Sequence, residues 1–328
     1  MPARLRAVLL HPLFRLVWTI LLAFGLFKLQ VWLFPSLTRL DFQTLTRRAW
    51  NALNATIILV LSLWLFERRS LRDVGLPPGQ AIPQMARGFL LGAVMVTVVV
   101  GFLALVGSYA VVGWVPLSAG TSRGELLLRS ILFFFCGAVT EELVFRGIIF
   151  RLLEEGLGTW LALALSALWF GFAHLHNAGA TVLSSLAIAL EAGVLLAAMY
   201  VATRSLWLPI GLHWAWNVFE GPVWGSAVSG QGWQVLVGAS LQGPAFLTGG
   251  PFGPEAGLPT MVLGAAVSIP FLAVSIRRGQ IVTPRWVSRV LERARRKRPP
   301  APGSIPAPTL QASSPGTSEA PSTTPVSR

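Results

Sequence analysis

Long apolar runs separated by short polar connections dominate this sequence. The runs fall at about 12–35, 50–66, 86–114, 126–152, 157–175, 179–203, 205–224 and 258–276. A helix that crosses a bilayer needs about 20 apolar residues, and most of the runs reach that length. The pattern predicts an all-α fold, a polytopic membrane helical bundle of about eight transmembrane helices. The run 86–114 is longer than one straight crossing needs, so we expect a tilted span there.

Composition supports a lipid environment for the chain. Hydrophobic residues make up 54% of the sequence and charged residues 12%, whereas a soluble domain carries about 25% charge. Cys136 is the only cysteine, which excludes an internal disulfide, and it lies inside an apolar run. We interpret it as a small core residue.

The net charge of +13 is concentrated after the last apolar run, where 277–298 holds nine basic residues and one acid. Such a cluster beside a span is typical of a cytoplasmic segment that contacts lipid headgroups, and no nucleic-acid module accompanies it. The Pro/Ser/Thr-rich residues 299–328 predict a disordered tail. The chain is therefore predicted to consist of a transmembrane domain at 1–276, a basic juxtamembrane segment at 277–298 and a disordered tail at 299–328. The connections on the N-terminal side of the membrane hold more arginines than those on the opposite side. This excess predicts a multi-pass protein of the cell membrane with both termini in the cytoplasm.

Ionisable residues inside the apolar runs mark the candidate chemistry, because each costs a few kcal/mol in a bilayer. The fourth run contains Glu141, Glu142 and Arg146, the fifth ends at His174, and the seventh contains His213 and Asn217. Residues four apart share a helix face, so Glu142 pairs with Arg146, and His213 lies beside Asn217. Glu141 points about 100° away from Glu142 and is able to face another helix.

These groups suit two kinds of chemistry. A carboxylate is a general base for water, while imidazole or carboxamide donors stabilise an oxyanion, which together favour hydrolysis. Alternatively, Glu141, His174 and His213 could ligate a metal such as Zn²⁺. The helical zinc motif His-Glu-x-x-His is absent from the sequence. The residues leave both options open.

Several of the polar residues also have plain structural interpretations. An intramembrane pair such as Glu142–Arg146 is often structural. Glu191 in the sixth run either supports the site or forms a polar contact between helices. His176 beside Asn177, and His11 before the first run, fit positions at the membrane interface. If the spans have the boundaries given above, Glu141 and His174 differ in depth by about 10 Å, which requires shifted boundaries or tilted or broken helices.

The ordered strings Glu141-Glu142-x-x-x-Arg146, Phe170-x-x-x-His174 and His213-x-x-x-Asn217 resemble the signature motifs of the CPBP family. This family of CAAX proteases and bacteriocin-processing enzymes is also called Abi. The resemblance covers about 125–220, and Arg204–Ile210 resembles the approach to the third motif.

The resemblance implies a helical membrane fold and an intramembrane endopeptidase that acts on a peptide or protein. Eukaryotic relatives remove the last three residues of prenylated CAAX proteins. By this resemblance Glu141 activates water, Glu142 and Arg146 support it, and His174, His213 and Asn217 complete the site. Members are often labelled metalloproteases, but a glutamate-dependent mechanism is also proposed.

Two alternatives remain. One is a transporter or channel in which buried Glu, His and Arg groups relay protons or bind an ion, although no internal repeat is visible. The other is a membrane scaffold that keeps the fold without catalysis.

Overall fold

A computed structural model of the chain describes residues 11–35, 44–117, 120–284 and 287. The predicted tail at 299–328 and the basic segment beyond Pro284, apart from residue 287, lie outside the described residues. The described helices are α1 (Pro12–Leu33), α2 (Leu45–Ser62), α3 (Ala81–Leu105), α4 (Arg123–Glu142), α5 (Arg151–Leu157), α6 (Thr159–Ala173), α7 (Val182–Ile188), α8 (Leu195–Thr203), α9 (Trp207–Val218), α10 (Ala245–Thr248) and α11 (Leu258–Arg277).

Wider π-helical segments continue four of these helices. They are Leu63–Glu67 after α2, Leu143–Phe150 after α4, Ala189–Val194 after α7 and Phe219–Val223 after α9. The described residues also form four short strands: β1 (Tyr109–Trp114), β2 (Ala227–Val228), β3 (Gln231–Gly232) and β4 (Val237–Leu241).

The predicted helical membrane fold is confirmed. Five described helical segments are long and apolar enough to cross a membrane, namely Pro12–Leu33, Leu45–Glu67, Pro78–Leu105, Val182–Thr203 and Leu258–Arg277. Large apolar side chains such as Phe24 and Trp32 of α1 are exposed on the outside of the bundle. A surface of this kind is stable against lipid and unstable against water.

The prediction of one tilted span over 86–114 is wrong. The helix α3 ends at Leu105, and Gly107 follows with a φ of +75°, a conformation that suits glycine. The chain then forms β1, which pairs antiparallel with β4 from Tyr109–Leu241 to Trp114–Val237. The connection after residue 220 therefore supplies a strand to this small sheet.

The apolar runs around the motifs differ in helical length. From Arg123 to Leu157 the chain is continuously helical through α4, its π-helical extension and α5. The helix α6 has only 15 residues, which is about 22 Å of rise. Glu141 lies 16 residues before the helix ends at Leu157, and His174 lies 15 residues after α6 begins at Thr159, so the two residues reach a similar depth on either side of the turn. The difference in depth of about 10 Å came from ending the fourth run at residue 152, five residues before the helix ends.

Close helix packing holds α9 against α3. A Cβ atom on Gly88 would lie 2.1 Å from the carbonyl oxygen of Leu208, and one on Gly92 would lie 2.4 Å from that of Leu212. The two glycines are four residues apart and form the small-xxx-small pattern that lets membrane helices approach backbone to backbone. This contact fixes the helix that carries His213 and Asn217.

An ion-pair network ties α1 to α5 and to the end of the α2 extension. Arg15 in α1 is buried and lies 2.9 Å from Glu67, and Arg151 donates to both oxygens of Glu67 at 2.6 and 2.7 Å. Glu155 accepts hydrogen bonds from Arg15 and Arg69. Buried charges of this kind need such partners, which explains an arginine inside the first apolar run.

Candidate active site

One cavity of about 230 Å³ lies between the motif-bearing helices. Its walls include Glu141, His174, His213, Asn217 and Glu191. The structure thus brings all four candidate catalytic residues to one space, together with Glu191. The space is several times the volume of one water molecule, about 30 Å³ in the liquid.

Glu142 is the central acceptor behind the cavity. Its side chain is 0% exposed, and its Oε1 accepts from Arg146 Nη1 at 2.8 Å and from His213 Nδ1 at 2.9 Å. The four-residue spacing predicts the contact with Arg146, whereas the contact with His213 depends on helix packing. Because a carboxylate only accepts, the proton lies on Nδ1 of His213 and fixes the orientation of its ring.

Arg146 donates to three acceptors. Besides Glu142, its Nη2 donates to the carbonyl oxygens of Ala192 and Gly193 at 3.0 and 3.2 Å. Both carbonyls lie in the π-helical segment after α7, where the regular ladder of hydrogen bonds is interrupted. The guanidinium also lies 4.4 Å from the ring centroid of Phe170. Arg146 therefore holds α4, α6 and the α7 extension together.

Glu141 faces the cavity instead. Its side chain is 24% exposed, and its Oε2 lies 3.8 Å from His174 Nε2 and 3.7 Å from His213 Nε2. This oxygen is buried and accepts no hydrogen bond from the described residues. An unsatisfied buried acceptor is costly, so this oxygen is suited to accept from a water molecule or from a substrate.

His174 is held by its own helix. It caps the C-terminal end of α6, and its Nδ1 lies 2.8 Å from the carbonyl oxygen of Phe170. Since the carbonyl only accepts, Nδ1 carries the proton and Nε2 is directed at Glu141. The motif Phe170-x-x-x-His174 is therefore a helix-end contact that sets the ring nitrogen facing the cavity.

His176 is exposed in the turn after α6 and is not among the cavity-lining residues. Helix phase does not separate His176 from His174, because α6 ends at Ala173. What separates the two side chains is the turn, in which only His174 stays against the bundle.

Five further polar residues line the cavity without a signal in the apolar pattern. They are Arg48 at the start of α2, Asn177 in the turn after α6, and Ser229, Gln231 and Glu255 in the connection before α11. Glu255 accepts from the backbone N–H and the hydroxyl of Ser229 at 2.9 and 2.6 Å. Each comes from a connection or a span end, where polar residues are ordinary. Only their position in three dimensions distinguishes them.

The donor atoms do not form a metal site as they stand. Among the described residues no three His, Cys, Asp or Glu side chains are grouped to hold a metal ion. A tetrahedral zinc site with bonds of about 2.0–2.1 Å places donors about 3.3 Å apart, and the two separations from Glu141 Oε2 are larger. Arg48 Nη1, 3.9 Å from Glu141 Oε1, adds a positive charge that opposes a divalent cation.

Comparison with protein families identifies this region. Residues 123–219 match the family model described as Rce1-like, type II CAAX prenyl endopeptidase Rce1-like. This part of the chain is similar to that family. The resemblance to CAAX proteases is thereby confirmed, and the chain is a membrane enzyme of the protease class. The match favours the protease over the transporter, channel and scaffold alternatives. Comparisons with curated proteins and with solved structures gave no match.

The matched segment contains every residue of the three motifs, from Glu141 to Asn217, and also Glu191. Arg48 and Glu255 lie outside it. Residues from α2 and from the connection before α11 thus complete a cavity that the matched segment mainly lines.

Proposed function

We propose that the chain hydrolyses a peptide bond near the C-terminus of a membrane-associated, prenylated peptide or protein, with a water molecule activated by Glu141. The observation that carries this proposal is the position of Glu141 Oε2, which faces the Nε2 atoms of His174 and His213 inside one cavity. A carboxylate beside two oriented imidazoles is a suitable arrangement for general-base hydrolysis.

The reaction then proceeds in two steps. Glu141 takes a proton from water while the water oxygen attacks the carbonyl carbon of the substrate, and the carbonyl oxygen becomes an oxyanion. Glu141 returns the proton to the departing nitrogen, the C–N bond breaks, and the products are a carboxylate and an amine. Asn217, which lines the cavity on the same face of α9 as His213, donates to the oxyanion.

Glu142 and Arg146 act on the arrangement rather than on the substrate. Glu142 fixes the tautomer and orientation of His213, and Arg146 compensates the charge of Glu142. Partners of this kind keep reacting groups within the narrow geometry that catalysis requires.

The membrane setting limits the substrate to chains that reach a cavity among lipid-embedded helices. We propose both termini in the cytoplasm, on the basis of the arginine asymmetry, with 277–298 on the headgroups and 299–328 outside the catalytic domain. A lipid anchor would raise the local concentration of the scissile bond at the bilayer.

The test uses purified protein in liposomes and a peptide that ends in a farnesylated cysteine followed by three residues. We expect release of the tripeptide, and little release from the same peptide without the farnesyl group. The inactive variant is Glu141→Gln, and its matched control is Glu125→Gln. Glu125 lies on the same helix as Glu141, is paired with Arg129 and does not line the cavity. Folded wild-type protein that releases nothing, or that cleaves both peptides equally, would refute the proposed substrate class.

A further inference from the structure

Arg48 is a cation beside the carboxylate of Glu141, and it comes from outside the segment 123–219 that matches the family model. It lies near the N-terminal end of α2, lines the cavity and places Nη1 3.9 Å from Glu141 Oε1. This distance is within ion-pair range but too long for a hydrogen bond. The imidazoles approach the other oxygen, Oε2, so Arg48 and the histidines lie on different sides of the carboxylate.

An aromatic platform holds the guanidinium in place. Its central carbon lies 4.6 Å from the ring centroid of Phe133. Phe133 packs in turn on Trp233 at 4.4 Å and on Phe134 at 5.3 Å between ring centroids. The Arg48 side chain is 12% exposed. A planar guanidinium on an aromatic face loses little further entropy when it donates to a ligand.

The other charged or basic groups of the site are less suited to meet a developing negative charge. Arg146 is committed to Glu142 and two carbonyl oxygens and does not line the cavity. His174 and His213 use Nδ1–H for internal hydrogen bonds, so in the neutral form their Nε2 atoms offer lone pairs, not protons. Arg48 is the one arginine or lysine among the described residues that line the cavity.

We propose that Arg48 donates to the oxyanion of the tetrahedral intermediate, together with Asn217. This inference rests on the proposed function. As water adds to the carbonyl carbon and its proton passes to Glu141, the π electrons of the carbonyl move to oxygen, and the guanidinium stabilises that charge. On collapse the electrons return, the C–N bond breaks, and the proton of Glu141 leaves with the amine. A pre-oriented donor in a site of low dielectric is effective because it does not need to reorganise.

The experiment compares Arg48→Gln and Arg48→Lys with the matched control Arg47→Gln. Arg47 is the preceding residue on α2 and lines a different cavity. Two quantities are measured at matched folded concentration, the steady-state constants for the prenylated peptide and the affinity for a phosphonate analogue of it. The phosphonate carries a negative tetrahedral centre and binds without being cleaved.

We expect Arg48→Gln to lower kcat by about 10²–10³-fold with little change in KM. Phosphonate affinity should fall in parallel, because it reports stabilisation of the tetrahedral anion. Arg48→Lys should recover part of the kcat and part of the phosphonate affinity, and Arg47→Gln should stay near wild type in both quantities.

Three results would overturn the inference. A fall in kcat with unchanged phosphonate affinity would mean that Arg48 acts only through Glu141. A rise in KM that disappears with a C-terminally amidated substrate would mean that Arg48 binds the terminal carboxylate. Unchanged kcat in both variants would remove Arg48 from the reaction. Wild-type protein that is folded but inert toward the peptide refutes the proposed function itself, and phosphonate binding still distinguishes wild type from Arg48→Gln.

Discussion

Replacing Glu142 by Gln removes the charge from a side chain that is completely buried. Glu142 Oε1 accepts from both Arg146 and His213, at 2.8 and 2.9 Å. A glutamine keeps an acceptor oxygen at this position, so the hydrogen bonds persist in weaker, neutral form. What is lost is the negative charge that compensates Arg146, which is itself 2% exposed.

The expected loss of unfolding free energy depends on the hydrogen bonds that Arg146 keeps in the variant. Breaking a buried ion pair by removing one partner costs about 3–5 kcal/mol. Because Arg146 keeps the carbonyl oxygens of Ala192 and Gly193, we expect the lower end, about 3 kcal/mol of unfolding free energy. Glu141 has contacts of 3.7 Å or longer and is 24% exposed, so Glu141→Gln should cost under about 1 kcal/mol.

The assay is detergent-induced unfolding in mixed micelles, followed by tryptophan fluorescence. The control is the double variant Glu142→Gln with Arg146→Met, which removes both charges. If the loss is electrostatic, the double variant is more stable than Glu142→Gln alone. The reasoning is refuted if Glu141→Gln and Glu142→Gln are equally stable, or if removal of Arg146 recovers nothing.

Other predictions address the histidines, the packing and the topology. We expect His174→Ala and His213→Ala to lose about 10²–10⁴-fold in turnover, the range for groups that assist general-base proton transfer, while His176→Ala retains most activity. Cleavage rates at matched folded concentration check this prediction, and an inactive His176→Ala with a competent His174→Ala would contradict the proposed assignment of the site residues. Gly92→Leu should separate α3 from α9 and lower both stability and activity. Gly101→Leu should be tolerated, because an added Cβ there meets no atom within 4 Å. Equal unfolding transitions for the two variants would contradict this prediction. Reporter fusions at residues 80 and 300 should report cytoplasm and one near 240 the opposite side, and a signal outside the cytoplasm at 300 would overturn the orientation.

Local periodicity accounts for much of the fold and of the candidate site. The length of the apolar runs predicts helices that cross the bilayer, and the four-residue spacing predicts the contact of Glu142 with Arg146. Both features depend on one helix alone. The pairing of β1 with β4 joins segments more than 100 residues apart. No local pattern reports such a pairing, so the run 86–114 was interpreted as a single span.

The site shows the same limit. Polar residues inside apolar runs stand out, which is why His213 and Asn217 are visible in the sequence. Arg48 lies near a span end, where an arginine is expected for topology, and its approach to Glu141 depends on the packing of α2 against α4. The contact between His213 and Glu142 depends in the same way on α9 and α4.

The most direct test of the central claim follows the origin of the oxygen in the product. Wild-type protein and Glu141→Gln are each incubated with the prenylated peptide in H₂¹⁸O, with and without a metal chelator, and the new C-terminus is analysed by mass spectrometry. The account predicts one ¹⁸O atom in the new carboxylate with wild type, unchanged by the chelator, and no product with Glu141→Gln of equal stability. Cleavage by Glu141→Gln at the wild-type rate, or loss of wild-type cleavage on chelation, would contradict it.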